Sequence, residues 1–153
     1  MYFVECNPDK ALLCTLGISK KQVIHSYGKG NVCNRLKKTS NAIGLVDEDP
    51  KSAQPSYIKT LELIDTKDEI KLYFDSKTDN RLIMLCPRLE DWIVLAARSA
   101  NEDITKYGLP DNANVLHKVI NIKQRNYQQL IEDIRDKSPM FKTLVGFLTI
   151  PNL

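Results

Sequence analysis

Two aspartates, separated by one residue, follow an apolar run in the first third of the chain. Residues 42–46 read Ala-Ile-Gly-Leu-Val and precede Asp47, Glu48, Asp49 and Pro50. The apolar run predicts a short buried strand, and Asp-Pro is a turn signal. Alternate side chains of an extended segment point the same way, so Asp47 and Asp49 are expected to converge. Two such carboxylates repel each other unless a cation lies between them, and Mg²⁺ or Mn²⁺ suits oxygen ligands.

A third carboxylate, Glu5, stands at the end of the first apolar segment, residues 2–4. A bare carboxylate at the end of a buried strand costs free energy, and a functional role is one way to resolve that cost. Ligands of open α/β sheets bind at the carboxyl ends of the strands. Asp47 and Asp49 are therefore predicted metal ligands and Glu5 a candidate site residue, although solvated carboxylates at a strand exit are the plainer alternative.

The elements that must position these residues alternate along the first fifty positions. Strand patterns at residues 2–4, 22–26 and 42–46 enclose helical patterns near residues 11–18, with Asn7 as the predicted cap, and 32–38. Three β-prone segments (58–64, 70–74 and 81–86) and an apolar helix (89–97) follow. Helical spacing recurs at 115–120, 127–134 and 140–148. The prediction is an α/β fold with a sheet of mainly parallel strands and helices on both faces. A single domain covers residues 1–153, with an α/β core at 1–100 and a helical extension at 101–153.

Composition limits the class of protein. The chain has 153 residues, 42% hydrophobic and 27% charged, with a net charge of +3. These values are ordinary for one globular domain. No apolar run approaches a membrane span, no secretory signal is recognised, and the four cysteines lack zinc-site spacing. We expect a cytoplasmic protein without a membrane partner. The basic residues cluster locally, either as a solvated helix face or as phosphate contacts, at Lys20, Lys21, Lys29, Arg35, Lys37 and Lys38.

The order of these signals resembles a Toprim domain, the acidic metal-binding module of topoisomerases, primases and several defence nucleases. The likeness is carried by residues 3–13 around Glu5, by residues 23–32 around Gly28-Lys29-Gly30, by the Asp-x-Asp at 47–49, and by residues 87–95 around Glu90. The last block is similar to the Phe-Glu-x-Trp-Leu helix of small nuclease-type Toprim proteins of the OLD-like and RloB kinds.

The resemblance implies a Toprim-like sheet and Mg²⁺-dependent cleavage of nucleic acid, with a role in anti-phage defence. It also implies that Glu5, Asp47 and Asp49 are the catalytic and metal-binding residues, with Glu5 as general acid or base or as a metal ligand. An ATPase partner, if the protein works with one, is expected to be a separate chain. Asp9 and Glu90 are either residues that support the metal ligands or carboxylates favoured at the start of a helix by its dipole. The turn of Gly28, Lys29 and Gly30 is either a phosphate-binding turn or a plain one.

The chain departs from the Toprim pattern at Cys6, where the family usually has Gly after the Glu. Gly would let the backbone approach a phosphate closely. The departure keeps open a second function, a non-catalytic Toprim-fold module that binds nucleic acid or a protein partner. A flavodoxin-like or phospho-receiver domain ranks lower, because receivers place their acidic pair after the first strand.

Overall fold

The computed structural model describes residues 1–150, which form a six-stranded sheet with helices packed against it. The strands are β1 (Tyr2–Val4), β2 (Val23–His25), β3 (Ile43–Asp47), β4 (Glu62–Lys67), β5 (Ile70–Asp75) and β6 (Asn80–Leu85). The α-helices are α1 (Asn7–Thr15), α2 (Lys29–Leu36), α3 (Leu89–Ser99), α4 (Ala113–Val119), α5 (Gln124–Ile134) and α6 (Pro139–Thr149). Short 3-10 helices cover Lys20–Gln22, Ser56–Thr60 and Ile104–Tyr107.

The sheet has the strand order β2-β1-β3-β6-β5-β4. β1 pairs in parallel with β2 and β3, and β3 pairs in parallel with β6. The predicted α/β class and the parallel arrangement of the first three strands are therefore confirmed. The carboxyl ends of β1, β2 and β3 meet at one edge of the sheet, which brings Glu5, Gly28 and Asp47 to that edge.

The sheet is mixed because β5 runs antiparallel to both of its neighbours. Asp68 and Glu69 join β4 to β5 and have φ values of 52° and 57°. Two consecutive left-handed residues make the tight turn that connects antiparallel strands. The β-prone segment predicted at 58–64 begins instead as the 3-10 helix Ser56–Thr60, which buries Tyr57 and Ile58.

Two hydrophobic clusters divide the core between the faces of the sheet, so helices cover both faces as predicted. One face packs on α2 through residues such as Phe3, Val46 and Leu82. The other packs on α1, α3, α5 and α6 through residues such as Val4 and Leu45. The helices after residue 101 belong to this second cluster, so they complete a layer of the core. Residues 151–153 of the predicted extension lie outside the described part of the chain.

Two helices begin elsewhere than the sequence pattern indicates. α1 starts at Asn7 with Cys6 as its cap, so the prediction of an Asn7 cap is wrong. α2 starts at Lys29, within the predicted turn, and Gly28 caps it with a φ of 114°. No helix among residues 1–150 is both long enough and apolar enough to cross a membrane.

Candidate active site

Glu5 and Asp47 meet at the carboxyl edge of the sheet. Glu5 follows β1, Asp47 ends β3, and the backbone N–H of Asp47 donates to Glu5 Oε1 at 2.9 Å. Asp47 Oδ1 in turn accepts from the backbone N–H of Leu89, at the start of α3, at 2.9 Å. The parallel pairing of β1 and β3 thus brings the two carboxylates together, and the first turn of α3 orients one of them.

Asp9, in the first turn of α1, is almost completely buried, and its charge contributes to the raised pKa of Asp47. Its Oδ2 accepts from the backbone N–H of Cys6 at 3.0 Å and from the Cys6 thiol at 3.1 Å. Its Oδ1 is buried and has no hydrogen-bond partner among residues 1–150. Cys6 has a φ of −140°, an extended backbone that any residue adopts. Cysteine therefore fits this position without backbone strain, although glycine is usual in the resembling family.

Glu90, in the first turn of α3, supplies a fourth carboxylate. It is only 5% exposed, and its Oε1 lies 2.9 Å from Nδ1 of His117 on α4. The contact of His117 with Glu90 spans 27 positions and has no local signal in the sequence.

Glu5, Asp9, Asp47 and Glu90 form what we call the carboxylate cluster. Burial is the largest cause of the raised pKa of Glu5. Burial, with the charges of Glu5 and Glu90 added, raises the pKa of Asp9 to about 7. Burial, followed by the charges of Asp9, Glu5 and Glu90, raises the pKa of Asp47 to about 8. Glu5, Asp9 and Asp47 therefore resist simultaneous ionisation in a poorly solvated region, and the charge of Glu90 adds to the raised pKa of both aspartates.

Asp49 stands apart from this arrangement. Its φ is 39°, and its backbone N–H donates to the carbonyl of Pro87 at 2.8 Å. The chain has left the extended conformation here, so the alternation argument for convergence with Asp47 does not apply. The charge of Asp49 does contribute to the raised pKa of Glu5. Asp49 therefore lies within electrostatic reach of Glu5, and its role as a ligand stays a prediction.

The predicted phosphate-binding turn adjoins the same edge. The backbone N–H of Gly28 donates to the carbonyl of Glu5 at 3.2 Å. A Cβ on Gly28 or Gly30 would meet no atom within 4 Å, so the backbone there is open to approach. Lys29 is buried, and its Nζ donates to the carbonyl of Glu48 at 2.6 Å and to Gln54 at 3.2 Å. Lys29 therefore holds the loop after β3 in this structure.

The carboxylate cluster is not arranged as a ready ligand set. Within residues 1–150, no group of three or more His, Cys, Asp or Glu side chains is placed so that it could hold a metal ion. Each carboxylate of the cluster is instead directed at a donor of its own, as the hydrogen bonds above describe. One oxygen each of Asp9, Asp47 and Glu90 is left without a hydrogen bond in the part of the chain described.

Comparisons of the chain with protein-family models, with curated proteins and with solved structures found no match. The resemblance to Toprim domains therefore rests on the four sequence blocks.

Asp9→Asn is expected to stabilise the protein without added metal at alkaline pH. Asp9 and Asp47 bind a proton more tightly in the folded protein than in the unfolded chain, where an aspartate pKa is about 3.9. Their contribution to stability is complete below that value and is lost as the pH rises through 7 to 8. An asparagine can still accept from Cys6 while its amide faces the other carboxylates. We expect the melting temperature at pH 8 to rise by about 5 °C, for about 1–2 kcal/mol of relieved repulsion.

The measurement is a thermal melt of both proteins in EDTA at pH 5 and pH 8. At pH 5 the folded Asp9 keeps its proton while the unfolded aspartate is already ionised, so only part of the contribution is lost and the gain from Asp9→Asn should be clearly smaller than at pH 8. Asp136→Asn is the matched control, because the Asp136 side chain is 89% exposed. Equal melting temperatures at pH 8 would show that Asp9 is not destabilised by its neighbours.

Proposed function

We propose that the protein is a metal-dependent nuclease that cleaves phosphodiester bonds of nucleic acid at the carboxylate cluster. The observation that supports this function is the meeting of Glu5 and Asp47 at the carboxyl edge of a parallel sheet, with Asp9 and Glu90 behind them. Structural carboxylates are rarely buried in groups, because each loses hydration and repels the others. A cation that neutralises them explains why four occur together.

The residues present fit a hard divalent ion by their chemistry. All four members of the carboxylate cluster offer oxygen only, and Asp9 keeps a buried oxygen that has no hydrogen-bond partner among residues 1–150. Mg²⁺ and Mn²⁺ take such ligands and retain water for a phosphate substrate. Asp47 and Glu5 are the proposed ligands, with Asp49 as a third. When bound, the ion would neutralise phosphate charge and polarise the scissile bond.

The remaining chemistry falls to side chains of this chain. Burial raises the pKa of Glu5, which suits a group that takes a proton from attacking water or gives one to the leaving oxygen. Leu89, through its backbone N–H, fixes the orientation of the Asp47 carboxylate. Gly28 and Gly30 leave open backbone beside Glu5, where a phosphate can approach.

One feature favours the second candidate, a non-catalytic module that binds nucleic acid or a protein partner. Each carboxylate of the cluster already has a donor within the chain, and the raised pKa values let Asp9 and Asp47 hold protons near neutral pH. The cluster can therefore persist without an ion. A separate ATPase partner and a role in anti-phage defence stay predictions from the resemblance.

A cleavage assay separates the two functions. Labelled single-stranded DNA, duplex DNA and structured RNA are incubated with the protein in Mg²⁺, in Mn²⁺ and in EDTA. We expect slow cleavage that needs the metal, since the net charge of +3 offers few phosphate contacts. Binding of Mn²⁺ or nucleic acid without cleavage of any substrate, with or without a co-expressed ATPase, would favour the module.

A further inference from the structure

An open cavity of about 490 Å³ lies beside the carboxyl end of β2 and along α2. We call it the Tyr27 pocket, and its lining residues are Ser26, Tyr27, Asn31, Asn34, Arg35 and Lys38. The spacing of the last four is i, i+3, i+4 and i+7, which places them on one stripe of α2 and the turn after it. No acidic residue lines the pocket.

Tyr27 gives this pocket an exposed aromatic wall. Its side chain is 78% exposed, and the His25 ring stacks on it with centroids 3.9 Å apart and an angle of 29° between the planes. Tyr27 also has a φ of 60°, which is costly for a bulky residue and normally left to Gly or Asn. An exposed ring at such a position adds little to the packing of the core, so we expect it to act through a contact at the surface.

The cations of the Tyr27 pocket are free to meet a ligand. Neither Arg35 nor Lys38 forms an ion pair with a carboxylate among residues 1–150. The guanidinium of Arg35 lies 5.9 Å from the centre of the Phe3 ring, and the Arg35 side chain is exposed to solvent. Two uncompensated cations near an exposed aromatic ring match the phosphates and bases of an unpaired strand.

The Tyr27 pocket adjoins the end of β1, which precedes Glu5. The backbone N–H of Ser26 donates to the carbonyl of Val4 at 2.8 Å, and that of Gly28 donates to the carbonyl of Glu5 at 3.2 Å. Tyr27 therefore stands between two residues bonded to the end of β1. A strand held in the pocket would therefore lie next to the backbone that carries Glu5.

We infer that the Tyr27 pocket binds single-stranded nucleic acid, with one base stacked on Tyr27 and the adjoining phosphates on Arg35 and Lys38. Asn31 and Asn34 present amides that can bond the edge of the stacked base. A base inside a duplex has both faces covered by its neighbours, so it cannot stack on Tyr27. The inference rests on the proposed nucleic-acid substrate and adds its form, an unpaired strand.

The test measures binding separately from cleavage. Fluorescein-labelled oligo-dT and oligo-U of about 12 nucleotides, and a hairpin duplex of equal length, are titrated in EDTA and followed by anisotropy. We expect both single strands to bind more tightly than the duplex, and the two arms show whether DNA or RNA is preferred. Tyr27→Ala should weaken single-strand binding on the order of 10-fold, and Tyr27→Phe should not.

Charge variants give an independent readout. Arg35→Ala and Lys38→Ala should each flatten the slope of log affinity against log salt by about 0.7. Arg125→Ala is the matched control, since Arg125 is an exposed arginine on α5 and outside the pocket. Single-strand binding that is unchanged by Tyr27→Ala, or equal affinity for duplex and single strand, would overturn the inference. If binding depends on Tyr27 but the protein cleaves no substrate, the inference about the Tyr27 pocket is supported and only the proposed nuclease activity is contradicted.

Discussion

Glu5→Gln is expected to slow the cleavage of nucleic acid by about 10²–10⁴-fold and to leave substrate binding nearly unchanged. Glutamine has almost the shape of glutamate and keeps an oxygen that can accept from the backbone N–H of Asp47. The fold at the carboxyl edge should therefore persist. What glutamine cannot do is exchange a proton, and burial gives Glu5 the raised pKa that suits proton transfer.

Rates are measured under single-turnover conditions in Mg²⁺ and Mn²⁺, and binding is measured by anisotropy in EDTA. Glu132→Gln is the matched control, because Glu132 is an exposed glutamate on α5. A Glu5→Gln protein that cleaves as fast as the wild type would show that the proton moves through another group. If Glu5→Gln loses nucleic-acid binding as well as cleavage rate, Glu5 acts in binding the substrate or the metal instead.

Parallel strand pairing explains why part of this site could be predicted from the sequence. An apolar strand followed by a carboxylate occurs at Glu5 and again at Asp47. Once the helix between successive strands requires a parallel sheet, both carboxylates must lie at one edge. The hydrogen bond between the backbone of Asp47 and Glu5 is the outcome of that rule.

Other members of the carboxylate cluster depend on tertiary contacts that no short pattern contains. Glu90 reaches the site because the first turn of α3 docks on Asp47, 42 positions away from Leu89. Asp9 reads from the sequence as a favoured residue of a helix start, and only the packing around α1 makes it the most buried carboxylate. Packing by distant elements therefore decides which acidic residues lie close enough to raise one another's pKa.

Backbone conformation and side-chain reach explain the remaining differences. Convergence of Asp49 with Asp47 requires an extended segment, but the turn gives Asp49 a φ of 39°. The sequence leaves Lys29 as either a phosphate contact or part of a plain turn, and in the structure its ammonium group bonds the loop at Glu48 and Gln54. Lysine has a long, flexible side chain, so its partner is set by whichever acceptor the fold brings within reach.

Asp47→Asn and Asp47→Ala are both expected to weaken Mn²⁺ binding by about 100-fold or more, because loss even of a supporting partner costs 10–100-fold. The two variants should differ in stability. Asparagine can still accept from the backbone N–H of Leu89, whereas alanine leaves the start of α3 without that bond, a loss of about 1 kcal/mol. Asparagine also removes a charge from the carboxylate cluster, so its melting temperature in EDTA at pH 8 should equal or exceed that of the wild type.

Calorimetry with Mn²⁺ and thermal melts with and without the metal measure the two effects separately. A ligand that binds only the folded state raises its melting temperature, so the wild type should respond to Mn²⁺ and the Asp47 variants should not. Unchanged Mn²⁺ affinity in Asp47→Asn would remove the metal site from this edge of the sheet. Asp49→Asn then defines the ligand set. If Asp49→Asn weakens Mn²⁺ binding, Asp49 is a ligand despite its left-handed backbone. If Mn²⁺ binding is unchanged, Glu5 and Asp47 are the ligands, and Asp9 and Glu90 support them.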